Sequence, residues 1–398
     1  MMFPSIPLAL SVAADLVAGL GCLQAVVGAT LTHRFNRQAG SRRRIAEPDR
    51  LPAVTVLKPL HGDEPMLEDA LVSFCAQDYP EMQIVFGVQS RTDAAIALVE
   101  RLQARFPALD LALVVDCTPH GANRKIANLI NMLPAARHDV LVISDSDIHA
   151  APDYLRRVVD ALARPGVGLV TTLYGGRVAS PTLARRLAAA QINHNFLPGV
   201  LMSRLLGRQD CLGATMALHR DTLEAVGGLP ALSPHVADDS ALGQLVRAQG
   251  RSIAIAESLT VTTISETGLR DLFLHELRWG RTVRSVEPVG YALSAIQLPL
   301  FWASLAVLLM PQAAWSWGML ALVWAVRGLT ARTIDRILGR TGTAPTALLP
   351  LRDWFSAAVM LASMSGRRVA WRGHTLHLPT RVPASVRRQL APGVDAGD

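Results

Sequence analysis

Charge is scarce in this sequence. Of its 398 residues only 18% are Asp, Glu, Lys or Arg, while half are hydrophobic. Soluble domains carry about 25% charged residues, so the shortfall argues against a wholly water-exposed chain and for membrane segments beside a folded domain. Aromatic residues are also few, at 5%, and no nucleic-acid motif accompanies the net charge of +7 or the pI near 9.8. Nucleic acid is therefore not an expected partner, and the basic excess is assigned to anionic lipid headgroups. The four cysteines, Cys22, Cys75, Cys117 and Cys211, show neither CxxC pairing nor zinc-ligand spacing. That excludes a disulfide scaffold and fits packed thiols in a reducing compartment.

What is present divides the chain. From Ile6 to Thr32 runs an apolar stretch with Asp15 as its only charge, followed by His33, Arg34, Arg37, Arg42, Arg43 and Arg44. Its length suffices to cross a bilayer, and the basic flank sets the next domain in the cytoplasm. Residues 1–35 are expected to be an anchor and 36–286 the cytoplasmic domain. From Pro288 to Val326 there is no charged residue, enough for a membrane hairpin of two crossings broken near Pro311-Gln312. Arg327, Arg332, Arg336 and Arg340 then return the chain to the cytoplasmic side. A last apolar segment, Ala344–Met364, carries Arg352-Asp353, charges that lipid tolerates only when paired or facing protein. It is read as re-entrant or interfacial, so that 287–366 is a membrane region and 367–398 a basic cytoplasmic tail with Arg367, Arg368, Arg372, Arg387 and Arg388.

The cytoplasmic segment alternates β-branched runs with helical patterns: strands at 54–57, 83–88, 110–115 and 140–144, and helices at 68–75, 94–105 and 152–163. Such alternation predicts βαβ units, an α/β fold and a mainly parallel sheet. A long helix is expected over Thr182–Leu206.

The strand Val140-Leu-Val-Ile-Ser144 runs straight into Asp145-Ser-Asp147. A buried strand does not hold two unpaired carboxylates inside it, so they belong at its C-terminal end, where open α/β sheets bind ligands. Two hard oxygen ligands suit Mn²⁺ or Mg²⁺ shared with substrate phosphates. Asp93 stands after an earlier strand, and Asp238-Asp239 precede the helix 240–248. His275, Arg278 and Trp279 share one helical face, which collects a donor, a fixed cation and a flat ring. A nucleotide-sugar transferase needs each part. Asp93 can read the uracil N–H, Lys125 or Arg278 can offset diphosphate charge, and Asp238 or Asp239 can serve as general base. Direct displacement would invert the anomeric centre. Lys125 is preferred to Lys58 because its loop precedes a helix N-terminus suited to anions. His149 is read as a packing histidine.

Taken in order, Val56-Leu-Lys-Pro-Leu60, Gln77-Asp-Tyr-Pro80, Asn123-Arg-Lys125 with Asn128, Ser144-Asp-Ser-Asp147, Ala237-Asp-Asp239 and Arg278-Trp279 resemble the membrane-bound family that includes ceramide glucosyltransferase and the hopanoid-biosynthesis-associated glycosyltransferases. The resemblance covers about Val54–Trp279, and arguably the tail through Trp371-Arg-Gly373. It implies a GT-A fold, a UDP-sugar donor, inversion and a hydroxylated lipid acceptor. By resemblance Asp93 is the base-reading aspartate, Asp145 the metal-site aspartate and Asp239 the catalytic base. Arg278 and Trp279 end a Q/R-X-X-R-W signature whose first position is His275 here. That histidine, together with the second carboxylate at Asp147, points to the hopanoid branch and hence to the inner membrane of a bacterium. Glucosylceramide synthesis is the alternative. A processive polysaccharide synthase and a catalytically silent nucleotide-sugar-binding protein are weaker rivals.

Overall fold

The computed structural model describes residues 6–40, 51–339, 345–366, 368–371 and 374–377. The expectations for Arg42–Arg44, Arg340 and the tail arginines at 367, 372, 387 and 388 lie outside them. In chain order the elements are α1 (Ile6–Gly40), β1 (Val54–Pro59), α2 (Leu67–Cys75), β2 (Met82–Val88), α3 (Ala95–Arg105), β3 (Asp110–Val115), α4 (Arg124–Met132), β4 (Val140–Ser144) and β5 (Ile148–His149). They continue with α5 (Tyr154–Leu162), β6 (Val167–Val178), α6 (Leu183–Ala190), α7 (Leu197–Leu205), β7 (Thr215–His219), α8 (Arg220–Ala225), α9 (Asp238–Ala248) and β8 (Ser252–Ile264). The last are α10 (Leu269–Val286), α11 (Pro288–Leu293), α12 (Pro299–Leu309), α13 (Ala314–Ile337), α14 (Leu349–Met364), β9 (Arg368–Trp371) and β10 (His374–His377).

The described residues fall into two compact units, one of 38–40, 51–174 and 208–263, the other of 6–37, 175–207 and those from 264 onward. Eight strands form one sheet in the order β3-β2-β1-β4-β7-β6-β8-β5. β3, β2, β1 and β4 are parallel, as the βαβ pattern predicts, whereas β7 runs antiparallel to β4 and β6, and β5 antiparallel to β8. The sheet is thus mixed rather than mainly parallel. The parallel half is apolar on both faces because both are covered. On β4, Val140 and Val142 join a core with α2, α3 and α5, while Leu141 and Ile143 join a second core with α4 and α9.

The other unit is largely helical, and α1 is its longest helix. Most of its buried positions are small, Ser11, Ala14, Ala18, Gly21, Ala25, Gly28 and Ala29, with Asp15, Thr32 and Phe35 the others, while Leu16 and Leu23 are 67% and 61% exposed. Small residues let helices approach closely where burial of large apolar groups gains nothing over lipid. A Cβ on Gly21 would stand 2.4 Å from the Ile296 carbonyl oxygen, and one on Gly28 would stand 2.6 Å from Pro198 Cβ. Among the described residues α1 alone is long and apolar enough to cross a membrane, with a second candidate if 288–297 and α12 count as one span. That pair bends by 68°, a break additional to the one at 310–313 between α12 and α13. Pro299 opens α12 and supplies no N–H to continue the preceding helix. α13 holds only residues 314–326 free of charge before Arg327.

Arg352 and Asp353 are fully buried, and both have partners. The Arg352 guanidinium donates to Glu276 Oε1 and Oε2 at 2.8 and 2.6 Å and to the Leu187 carbonyl at 3.1 Å. Asp353 Oδ2 accepts from the Leu300 N–H at 2.9 Å, and its Oδ1 lies 3.8 Å from Arg327 Nη2. The long helix expected over 182–206 is divided by a π-helical turn at Gln191–Phe196. That turn turns Asn193 inward, where Oδ1 accepts from the Gly176 N–H at 2.7 Å.

Candidate active site

β4 ends at Ser144, and the chain turns through Asp145-Ser-Asp147 into β5, with the Ile148 N–H donating to the Asp145 carbonyl at 3.4 Å. The turn rests on Lys58, the end of β1, which is 0% exposed. Its Nζ donates to the Asp145 carbonyl at 2.6 Å and to Ser144 Oγ at 3.4 Å, and it lies 3.8 Å from the Phe74 ring centroid. Burial pulls the Lys58 pKa down to about 7 although Asp147, Asp145 and Glu64 oppose the shift. Glu64 Oε2 accepts from Ser146 Oγ at 2.6 Å. Sequence reasoning weighs Lys58 and sets it aside in favour of Lys125, and it passes over Glu64, whose only signal is an acid six residues after that lysine.

The neighbouring wall comes from α4 and α9. Asn123 caps α4 by accepting from the Ile126 N–H at 3.1 Å, and its amide donates to Asp238 Oδ1 at 3.2 Å and to the His235 carbonyl at 2.8 Å. This fixes the start of α4 against the start of α9 and brings Lys125 between two acids. Lys125 Nζ is 2.6 Å from Asp145 Oδ1, 3.6 Å from Asp238 Oδ2 and 3.4 Å from the Gly213 carbonyl. Burial alone would lower its pKa, but Asp145, Asp238 and Asp239 raise it well above the usual range. Lys125 is thus a fixed cation.

Asp238 and Asp239 occupy the first turn of α9 rather than preceding it. Asp239 Oδ1 accepts from the Ser240 N–H at 2.7 Å. Burial and the adjacent Asp238 raise its pKa to about 6, against the pull of Lys125 and that N–H. Asp147 keeps a little surface, yet the protein packed around it and the Asp145 charge raise its pKa to about 6, with Thr262 Oγ1 donating to its Oδ2 at 2.5 Å. Burial raises the pKa of Tyr174 on β6, also unforeseen, and the nearby Asp239, Asp145 and Asp147 charges add to the shift, so its phenol stays protonated.

The structure therefore brings together Lys125, Asp145, Asp147, Asp238 and Asp239 from three separate stretches. Asp93 has partners of its own: Oδ1 accepts from the Gly62 and Ala95 N–H groups at 2.9 and 3.0 Å, and His61 Nδ1 is 3.6 Å from Oδ2. In the helical unit, His275 Nδ1 pairs with Glu266, and the His275 and Trp279 rings meet edge to face at 4.4 Å. Arg278 lies between them in sequence on α10. His149 packs as expected, its Nε2 2.7 Å from Thr263 Oγ1.

Among the described residues no three His, Cys, Asp or Glu side chains form a protein cage for a metal. A pair of carboxylates whose mutual repulsion raises the Asp147 pKa fits the other common mode, one or two carboxylates completed by substrate phosphates. The residues present suit that second arrangement.

Mixed sheet and strand-end carboxylates define a GT-A-type glycosyltransferase fold. A mannosyltransferase from Pyrobaculum calidifontis, solved with GDP-Man and Mn²⁺, matches 88% of this chain and 97% of its own at a TM-score of 0.50 and 20% identity. The model of glycosyl transferase family 21 matches residues 17–382, and the chain belongs to that family. A ceramide glucosyltransferase from Komagataella phaffii is 32% identical over 127 residues, 31% of this chain and 25% of the relative. Ceramide glucosyltransferase 1 from Caenorhabditis elegans is 24% identical over 241 residues, 58% of this chain and 50% of the relative. The matched regions span half or less of these curated relatives' own length.

Proposed function

We propose that the chain is a membrane-bound inverting transferase that moves one hexosyl or N-acetylhexosaminyl unit from a UDP-sugar to a lipid hydroxyl, with a hopanoid polyol as acceptor. The observation that carries this reading is the convergence of Asp145, Asp238 and Asp239 on Lys125, with Asp147 beside Asp145. One fixed cation set among three acids, with a fourth next to them, suits a site that receives a diphosphate, further positive charge and an acceptor proton.

In this reading Asp239 takes the proton of the acceptor hydroxyl. The oxygen then forms its bond to the anomeric carbon as the bond from that carbon to the diphosphate oxygen breaks, and UDP departs with the electron pair. A base with a pKa near 6 is unprotonated at neutral pH yet basic enough to assist. Asp238, held by Asn123, orients Lys125 and sustains the Asp239 shift. Lys125 balances diphosphate charge, and Asp93 reads the base. Arg278 contributes a second cation for the diphosphate, and His275 and Trp279 a donor and a flat apolar surface. A divalent Mn²⁺ or Mg²⁺ at Asp145 and Asp147 would offset charge on the leaving diphosphate. The basic flanks of the membrane segments suit an anionic, cytoplasm-facing leaflet of a bacterial inner membrane.

His275 and the second carboxylate, Asp147, favour a hopanoid acceptor. The ceramide glucosyltransferase relatives favour a second reading, transfer of glucose to ceramide. Purified protein incubated with Mn²⁺, a panel of UDP-sugars and separate hopanoid and ceramide acceptors tests both by mass spectrometry of the lipid fraction. A glycosylated hopanoid supports the first reading. A glycosylated ceramide alone replaces it with the second, and UDP binding without product from either acceptor contradicts both.

A further inference from the structure

Asp15 is the one charge in the apolar stretch of α1. It is only 5% exposed, and neither carboxylate oxygen has a hydrogen-bond partner. A buried carboxylate left without a donor costs a few kcal/mol or more in an apolar setting. Around it Leu8, Val12 and Leu16 of α1 and Trp315, Met319 and Leu322 of α13 line a groove of about 570 Å³, within the roughly 300–1,000 Å³ of small-molecule sites. Gly318 forms part of the same wall, and a Cβ there would meet nothing within 4 Å. The space is therefore open rather than filled by a neighbouring side chain.

We propose that this groove binds a membrane lipid through a hydroxyl group, with the lipid's apolar body along α1 and α13 and its O–H donated to Asp15. An ammonium headgroup is a poorer fit. It brings three donors to a lining whose one acceptor side chain is Asp15, and the surplus N–H groups would be stranded in apolar surroundings. A hydroxyl brings a single donor, which the Asp15 carboxylate can accept. Arg34 lies about five turns further along α1, roughly 28 Å at about 1.5 Å per residue, close to the thickness of a hydrocarbon core of about 30 Å. With α1 spanning the bilayer, the groove opens in the leaflet opposite its basic flank. The site rests on that membrane reading but not on sugar transfer, and a lipid held here is distinct from the acceptor.

The test is a thermal-shift titration of the full chain in detergent with 1-hexadecanol, its methyl ether and hexadecylamine. The alcohol is expected to bind about tenfold more tightly than the ether, one hydrogen bond's worth at a buried acceptor, and more tightly than the amine. Asp15→Leu should bring alcohol and ether within twofold while leaving the lipid-free melting temperature equal or higher, since it removes the stranded carboxylate. Gly318→Phe should weaken all three. Equal binding of alcohol and ether by the native chain would overturn the proposal. So would a preference for the amine, an alcohol preference that survives Asp15→Leu, or alcohol binding that survives Gly318→Phe, which would place the alcohol elsewhere, as at the transfer site.

Discussion

Lys58 Nζ stands 2.6 Å from the main-chain carbonyl of Asp145, beneath the turn that presents both strand-end carboxylates. A cation in that place does two things. It fixes the turn through a carbonyl rather than a side chain, leaving both carboxylates for other partners, and its charge acts on Asp147 and Glu64 from below. Lys58→Met keeps the stem over Phe74 and removes the charge. Supporting contacts around metal ligands are typically worth 10–100-fold in affinity or activity, so we expect about that loss in kcat/KM with a higher Mn²⁺ requirement. An assay across a metal titration checks it, and unchanged metal dependence would show that Lys58 only packs.

The two acids with raised pKa values give opposite trends in stability and activity. Asp147 and Asp239 both sit near 6 instead of the ordinary 3.8. The folded state therefore holds their protons more tightly than the unfolded chain does. Their stabilising contribution in metal-free protein is complete below about pH 4 and is lost as pH rises through about 6. Asp147→Asn should flatten the decline in melting temperature over that window. Activity should run the other way, with kcat/KM falling as Asp239 is protonated below about pH 6. A native melting temperature as steep as that of Asp147→Asn would contradict the assignment.

Arg352 and Glu276 are a bidentate pair, 1% and 8% exposed at their side chains. Removing one member of such a pair strands the other, at about 3–5 kcal/mol, whereas replacing both with apolar groups is often neutral. Glu276→Ala should accordingly lower unfolding stability in detergent by about that amount, and the double substitution Arg352→Met with Glu276→Leu should recover most of it. Chemical unfolding of the three proteins decides this, and equal losses in single and double variants would contradict it.

Much of this was legible in the chain because it is local. β4 and its carboxylates announce themselves as an apolar run that stops at two acids, and the parallel strands follow from βαβ spacing. The direction of β7 does not, because an apolar run pairs either way and its partner β4 lies some 70 residues earlier in the sequence. Lys58 reads as a surface lysine until its contact with Asp145, 87 residues away, is known. Asp145 and Asp147 stand out as acids at a strand end and Asp238 and Asp239 as acids before a helix, yet only the Asn123 bridge between α4 and α9 explains how Lys125 meets Asp238 as well as Asp145. The uncharged run from Pro288 to Val326 gives no sign of the 68° bend within it. A proline marks where a helix can break, but packing decides how far it turns.

The most direct test of the account is Asp239→Asn, compared with the native chain for UDP binding by calorimetry and for transfer to a lipid hydroxyl by mass spectrometry. The asparagine keeps the volume and an acceptor for the Ser240 N–H but takes no proton. General base assistance typically contributes 10²–10⁴-fold, so UDP affinity should stay within a few-fold while transfer falls by about that factor. Transfer within twofold of native would contradict the central claim that this acid cluster activates the acceptor.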